Sequence, residues 1–249
     1  MTEPDWFAKR SANGMRRLGV IGRFEAGASL WPVGRVRGEW SLNNHGVAMA
    51  RHEPRVRKAE EHYPAGDSRG TVLMLPGRAY PCGMSLLAWT TRALQATGWT
   101  VFQAEWDLST FPPEPRAFIE GVAQQLDQME RQTGPVLIVA KSLGTLAAHW
   151  GAEQGYAAVW LTPILKSAGL YPLPGHCDAL AERIREYPTD NLVVGGTADD
   201  LWQTGFRGTG KVLEIEGADH SLEVADWRTS IRQHQDVASA VVDFASGVG

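Results

Sequence analysis

The segment Val136-Leu-Ile-Val-Ala-Lys-Ser142-Leu-Gly144-Thr-Leu-Ala-Ala148 constrains the fold of this chain more than any other. Residues 136–140 form an unbroken apolar, largely β-branched run, which predicts a strand buried on both faces. From Leu143 to Trp150 the Ala and Leu content, with apolar residues at i, i+3 and i+4, predicts a helix. Ser142 falls at the junction. A serine on so sharp a strand-to-helix turn stands clear of the sheet, with the first amides of the helix directed toward it. Such a turn leaves room only for small residues two before and two after the serine, and Ala140 and Gly144 occupy those places.

The same alternation of strand and helix runs through most of the chain. Strands are expected over 71–75, 100–106, 157–161, 192–195 and 211–215, and helices over 85–96, 115–132, 177–186 and 226–244. Pro115 suits the first position of a helix. This spacing predicts an α/β fold, a mostly parallel central sheet with helices on both faces and with sites at the carboxyl ends of the strands. Upstream, residues 36–41 and 47–51 flank Asn43-Asn-His-Gly46, which has the composition of a hairpin turn, and residues 55–63 suggest another edge strand. Residues 1–35 show no periodicity and read as an N-terminal extension, mobile or packed as a flap, on a domain spanning 36–249. Residues 164–174 have the look of a small cap over a pocket.

A chain of 249 residues buries about three quarters of its unfolded surface without help from disulfides or metal. Its two cysteines, Cys82 and Cys177, form neither a framework nor a CxxC pair, which points to a reducing, cytoplasmic setting. No apolar run approaches the roughly 18 residues that span a bilayer. Residues 1–62 carry 11 Lys/Arg against 7 Asp/Glu, and residues 63–249 carry 13 against 21. The basic excess is too dispersed to suggest nucleic acid or a membrane as a partner. No histidine pair stands at ligand spacing with cysteines or carboxylates, so no metal is expected.

Two further loops carry chemistry. The strand over 192–195 leads into Gly196-Thr-Ala-Asp199-Asp200, and the strand over 211–215 leads into Gly217-Ala-Asp-His220. A serine hydroxyl needs a base to become a nucleophile, and the base needs an acid to orient it. Serine, acid and histidine on successive strand-end loops, with A-x-S-x-G one methyl from G-x-S-x-G, resemble the α/β-hydrolase superfamily. The resemblance covers roughly residues 36–246 and is strongest to small, nearly lidless bacterial esterases and dienelactone-hydrolase-like proteins.

That resemblance implies Ser142 as nucleophile, His220 as base and Asp199 as orienting acid, with Asp200 as the direct competitor for the last role. It implies an oxyanion hole from the backbone N–H groups of Leu143 and Arg78, a small-molecule acyl substrate and no cofactor. Pro76 stands where the family commonly has a loop-bracing histidine. Tyr80 and Trp202 are the candidates for the substrate pocket. The side chain of Arg78 reads either as solvent-facing or bound to an acid, or as a contact for an anionic substrate group. Lys141 reads as a surface or salt-bridge residue, and Cys82 as structural. Trp89, Trp150, Trp160, Trp202 and Trp227 read as core. Ester hydrolysis, thioester hydrolysis, acyl transfer and cyclisation all fit such a triad, and a non-catalytic ligand-binding role on the same scaffold is the remaining alternative. Oligomeric state is not legible in the sequence.

Overall fold

A computed structural model of the chain describes residues 54–63, 68–108, 112–129, 134–168, 173 and 175–249. These belong to a compact unit spanning Ala50–Gly249. The expected N-terminal extension and the hairpin over 36–51 lie outside the described residues, as do most of the expected cap (169–172 and 174) and residues 130–133.

Seven strands form one sheet: β1 (Arg55–Lys58), β2 (Gly70–Leu75), β3 (Trp99–Glu105), β4 (Val136–Lys141), β5 (Ala157–Leu161), β6 (Asn191–Gly196) and β7 (Lys211–Ile215). Their order is β1-β3-β2-β4-β5-β6-β7. Only β1 runs antiparallel, pairing with β3, and every other pairing is parallel. Five α-helices complete the domain: α1 (Ser85–Ala96), α2 (Pro115–Asp127), α3 (Ala148–Gln154), α4 (His176–Arg185) and α5 (Trp227–Ser246).

The period of two along each strand sorts its side chains between two cores. Leu73, Leu75, Ile138, Ala140, Ala158, Trp160 and Val193 pack with α2, α3 and α4. Val72, Met74, Leu137, Val139, Val159, Leu161, Leu192 and Val194 pack with α1 and α5. Both faces are therefore dry, which is why the central strands read as continuous apolar runs.

Local boundaries follow local chemistry. Asp226 caps α5, its carboxylate accepting from the Thr229 amide at 3.0 Å. Gly155 closes α3 in the left-handed region, φ 70°. The segment after β4 departs from expectation: Ser142–Ala147 winds as a 3₁₀ helix, and α3 begins only at Ala148. The Thr145 hydroxyl donates to the Ser142 carbonyl at 2.5 Å, which suits the tighter i→i+3 winding. Helix α2 stops at Asp127 rather than running to residue 132. Of the tryptophans read as core, Trp150, Trp160 and Trp202 are buried, whereas Trp89 and Trp227 are more than half exposed. Those two lie on the outer faces of α1 and α5, where helical position alone does not guarantee burial.

Candidate active site

Strand β4 lies at the centre of the sheet, with β2 on one side and β5, then β6 and β7, on the other. Because these five strands are parallel, the loops leaving their carboxyl ends share one rim. Ser142 leaves β4, Thr162 leaves β5, Asp199 follows β6 and His220 follows β7.

Three residues distant in sequence meet there. Ser142 Oγ lies 2.7 Å from His220 Nε2, and His220 Nδ1 lies 2.8 Å from Asp199 Oδ2. A carboxylate only accepts, so Nδ1–H donates to Asp199 and the Nε2 lone pair faces the serine hydroxyl. The other Asp199 oxygen accepts from the Leu201 amide at 2.9 Å, which anchors the carboxylate in the turn. The Asp199 side chain is 1 % exposed and that of His220 is 29 % exposed. The acid is thus dry, and the imidazole keeps an edge toward solvent. It is Asp199, not Asp200, that reaches the imidazole.

The backbone is strained where this chemistry sits. Among the described residues only three other than glycine have positive φ: Ser142 (52°), Thr162 (43°) and Leu222 (60°). Such conformations cost of the order of 1–3 kcal/mol each and persist where packing overdetermines them. At Ser142 the packing is explicit. A Cβ on Gly144 would stand 2.6 Å from the Leu75 carbonyl oxygen and 2.7 Å from that of Pro76, so only glycine lets the turn lie against the end of β2.

The loop after β2 carries the other expected oxyanion amide. Gly77 N–H donates to the Tyr80 carbonyl at 3.1 Å, closing a tight turn around Arg78. The indole N–H of Trp106 donates to the Gly77 carbonyl at 3.0 Å, and Arg78 Nε donates to the Leu108 carbonyl at 2.9 Å. The segment beyond β3 therefore supplies a brace to a loop that carries Pro76. Arg78 meets a backbone carbonyl, an outcome neither reading of its side chain anticipated. The amide of Leu143 belongs to the first turn of the 3₁₀ helix, where N–H groups lack intrahelical partners.

Two candidate pocket residues fare differently. Tyr80 is buried beside the turn, its hydroxyl accepting from the Leu86 amide at 3.1 Å, and burial pushes its phenol upward. Trp202 is wholly buried. Its indole N–H donates to Glu214 at 2.7 Å and its ring lies where a Cβ on Gly195 would come within 2.2 Å. A side chain so enclosed lines no solvent-facing surface, and Trp202 is corrected to a core residue. Cys82 is buried against the Ala104 carbonyl, and burial pushes its thiol to about 12, well away from thiolate chemistry.

Lys141 is the largest correction. It is fully buried, and Nζ donates to Thr162 Oγ1 and to the His220 carbonyl, each at 2.7 Å, with the Tyr80 ring centroid 4.7 Å away. Alternation along β4 puts position 141 on the same face as Leu137 and Val139, toward α1 and α5. The loop bearing His220 is secured elsewhere too. Asp219 Oδ1 accepts from the amides of Ser221 and Glu223, and His234 Nε2–H donates to the Ser221 carbonyl at 3.0 Å. Ser85 Oγ lies 3.1 Å from His234 Nδ1. None of Lys141, Thr162, Trp106 or His234 was identified from sequence as part of this arrangement.

Among the described residues, no group of three His, Cys, Asp or Glu side chains is placed to hold a metal ion, and no helix is long and apolar enough to cross a membrane. No protein-family model matches the chain, and no curated protein matches it. Solved structures do. Est1E from Butyrivibrio proteoclasticus, solved with ferulic acid bound, superposes with a TM-score of 0.57 at 14 % identity over 77 % of this chain and 94 % of its own. The alpha/beta hydrolase GrgF from Penicillium gives 0.55 at 11 % identity, covering 77 % and 97 %. The Paleococcus ferrophilus monoacylglycerol lipase gives 0.54 at 13 % identity, covering 77 % and 99 %.

Proposed function

The chain has the α/β-hydrolase fold, and on that fold we propose that it is a serine hydrolase acting on a carboxylic ester or related acyl substrate. One observation carries the reading: the unbroken hydrogen-bond chain from Asp199 through His220 to Ser142, ending on a strained serine at the rim of the sheet.

In this mechanism His220 Nε2 takes the hydroxyl proton as Ser142 Oγ attacks the acyl carbonyl. The imidazolium is stabilised by the buried Asp199 carboxylate at 2.8 Å. Negative charge on the former carbonyl oxygen is met by the amides of Leu143 and Arg78, each such donor being worth about 10²–10³ in rate. His220 returns the proton to the leaving group, and the acyl group remains on Ser142. Water, deprotonated by the same imidazole, then releases the acid.

Turnover of p-nitrophenyl esters of graded chain length tests the proposal. Ser142→Ala should lower kcat by about 10⁶, the scale of nucleophile removal from such a triad. Wild-type protein inert toward every ester and thioester offered, or a Ser142→Ala variant of near-normal turnover, would overturn it.

A further inference from the structure

A lysine that is wholly buried has to be explained, because an ammonium loses several kcal/mol of hydration on entering a protein interior. Lys141 occupies the residue just before the nucleophile, and its ammonium spends two of its three N–H donors on Thr162 Oγ1 and the His220 carbonyl, both at 2.7 Å. The third side of the ammonium meets the Tyr80 ring face. It therefore ties the ends of β4 and β5 to the backbone of the residue whose imidazole reaches Ser142.

The partner is unusual as well. Thr162 is β-branched and fully buried, yet its φ is 43°, a region such residues rarely enter. That conformation presents Oγ1 to Lys141 while the Thr162 amide donates to the Val194 carbonyl at 2.7 Å. On the far side, His234 holds the carbonyl of Ser221, so consecutive carbonyls of the histidine loop are gripped by two buried side chains.

We propose that Lys141 is a positioning residue: held by Thr162, it fixes the His220 carbonyl and with it the reach of the imidazole to Ser142 Oγ. The inference rests on the triad being catalytic. Burial lowers Lys141 to about 7, with Asp199 and then Asp219 pulling upward. The groups facing the ammonium are Asp199, Asp219, Tyr80 and His220. The grip is therefore strongest at and below neutral pH and weakens above it.

The test is a cycle of Lys141→Met, Thr162→Val and the double variant, read by ester kinetics and by imidazole NMR of His220. Lys141→Met should lower kcat about 10²-fold, the cost of a misplacement of about 1 Å, with KM changed less than about threefold. Thr162→Val should lower kcat by less, and adding it to Lys141→Met should cost nothing more, because both remove one contact. A folded Lys141→Met variant with kcat within about threefold of wild type overturns the proposal. So does additivity of the two losses. Should Lys141→Met fail to fold, a Thr162→Val variant with unchanged kcat overturns it alone. The NMR arm separates this inference from the hydrolase reading. If wild-type protein proves inert, a shift of the His220 imidazole resonances in Lys141→Met still supports the positioning contact, and unshifted resonances overturn it.

Discussion

Replacing Gly144 with alanine adds a single methyl, and the structure says what that methyl meets. Its carbon would stand 2.6 Å from the Leu75 carbonyl oxygen, 2.7 Å from that of Pro76 and 2.9 Å from the Leu75 carbonyl carbon. All three are backbone atoms of the β2 end, so no side chain can swing aside. Restoring ordinary contact at 3.4 Å requires the turn and the end of β2 to part by nearly an ångström. Overpacking of this kind costs about 1–3 kcal/mol. For a domain of about 200 residues each kcal/mol lowers Tm by roughly 2–4 °C, so a fall of about 2–12 °C is expected. The kinetic effect should be larger. The two elements forced apart carry the nucleophile and the oxyanion loop, where a displacement of about 1 Å costs about 10²-fold. Calorimetry and p-nitrophenyl ester turnover measure both. A Gly144→Ala variant melting within about 1 °C of wild type with unchanged kcat would refute the reasoning.

Three other outcomes follow from the same geometry. Ser142→Gly and Ser142→Ala should be equally inactive, but glycine tolerates φ 52° and alanine does not, so thermal melts should place the glycine variant higher by roughly 2–4 °C for about 1 kcal/mol. Asp199→Asn keeps an acceptor for the Leu201 amide yet turns the imidazole toward the wrong tautomer, so kcat should fall by about 10⁴, while Asp200→Asn should leave it unchanged. Lys141 titrates at about 7 when folded against an ordinary 10.5, so between those values the unfolded chain binds a proton that the folded chain has released. Its contribution to stability therefore rises with pH across that window, and urea unfolding at a series of pH values should show a slope that Lys141→Met lacks.

Strand and helix alternation was legible in the sequence because both faces of the sheet are covered. The runs at 157–161 and 211–215 match β5 and β7 residue for residue, and the helix over 85–96 matches α1. The 3₁₀ winding after Ser142 was not legible, since Leu143 to Trp150 carries an ordinary helical pattern and the tight winding belongs to packing against β2. Asp199 and His220 were identifiable from their turns at strand ends, whereas Trp202 was misjudged by adjacency. It follows the acid loop in sequence, but Gly195 opens a slot that draws its ring into the core. Lys141 was misread because charge outweighed position. The period of two that put Leu137 and Val139 inside applies to residue 141 as well. Trp106, Thr162 and His234 carry no sequence signal for their contacts, each of which is made across the fold.

The central claim is that Ser142 is a nucleophile activated by His220, and a fluorophosphonate probe tests it most directly. Labelling of the full chain followed by peptide mass spectrometry should place the adduct on Ser142 and lose it in His220→Ala. A folded wild-type protein that takes no label, or takes it on any other residue, would contradict the account.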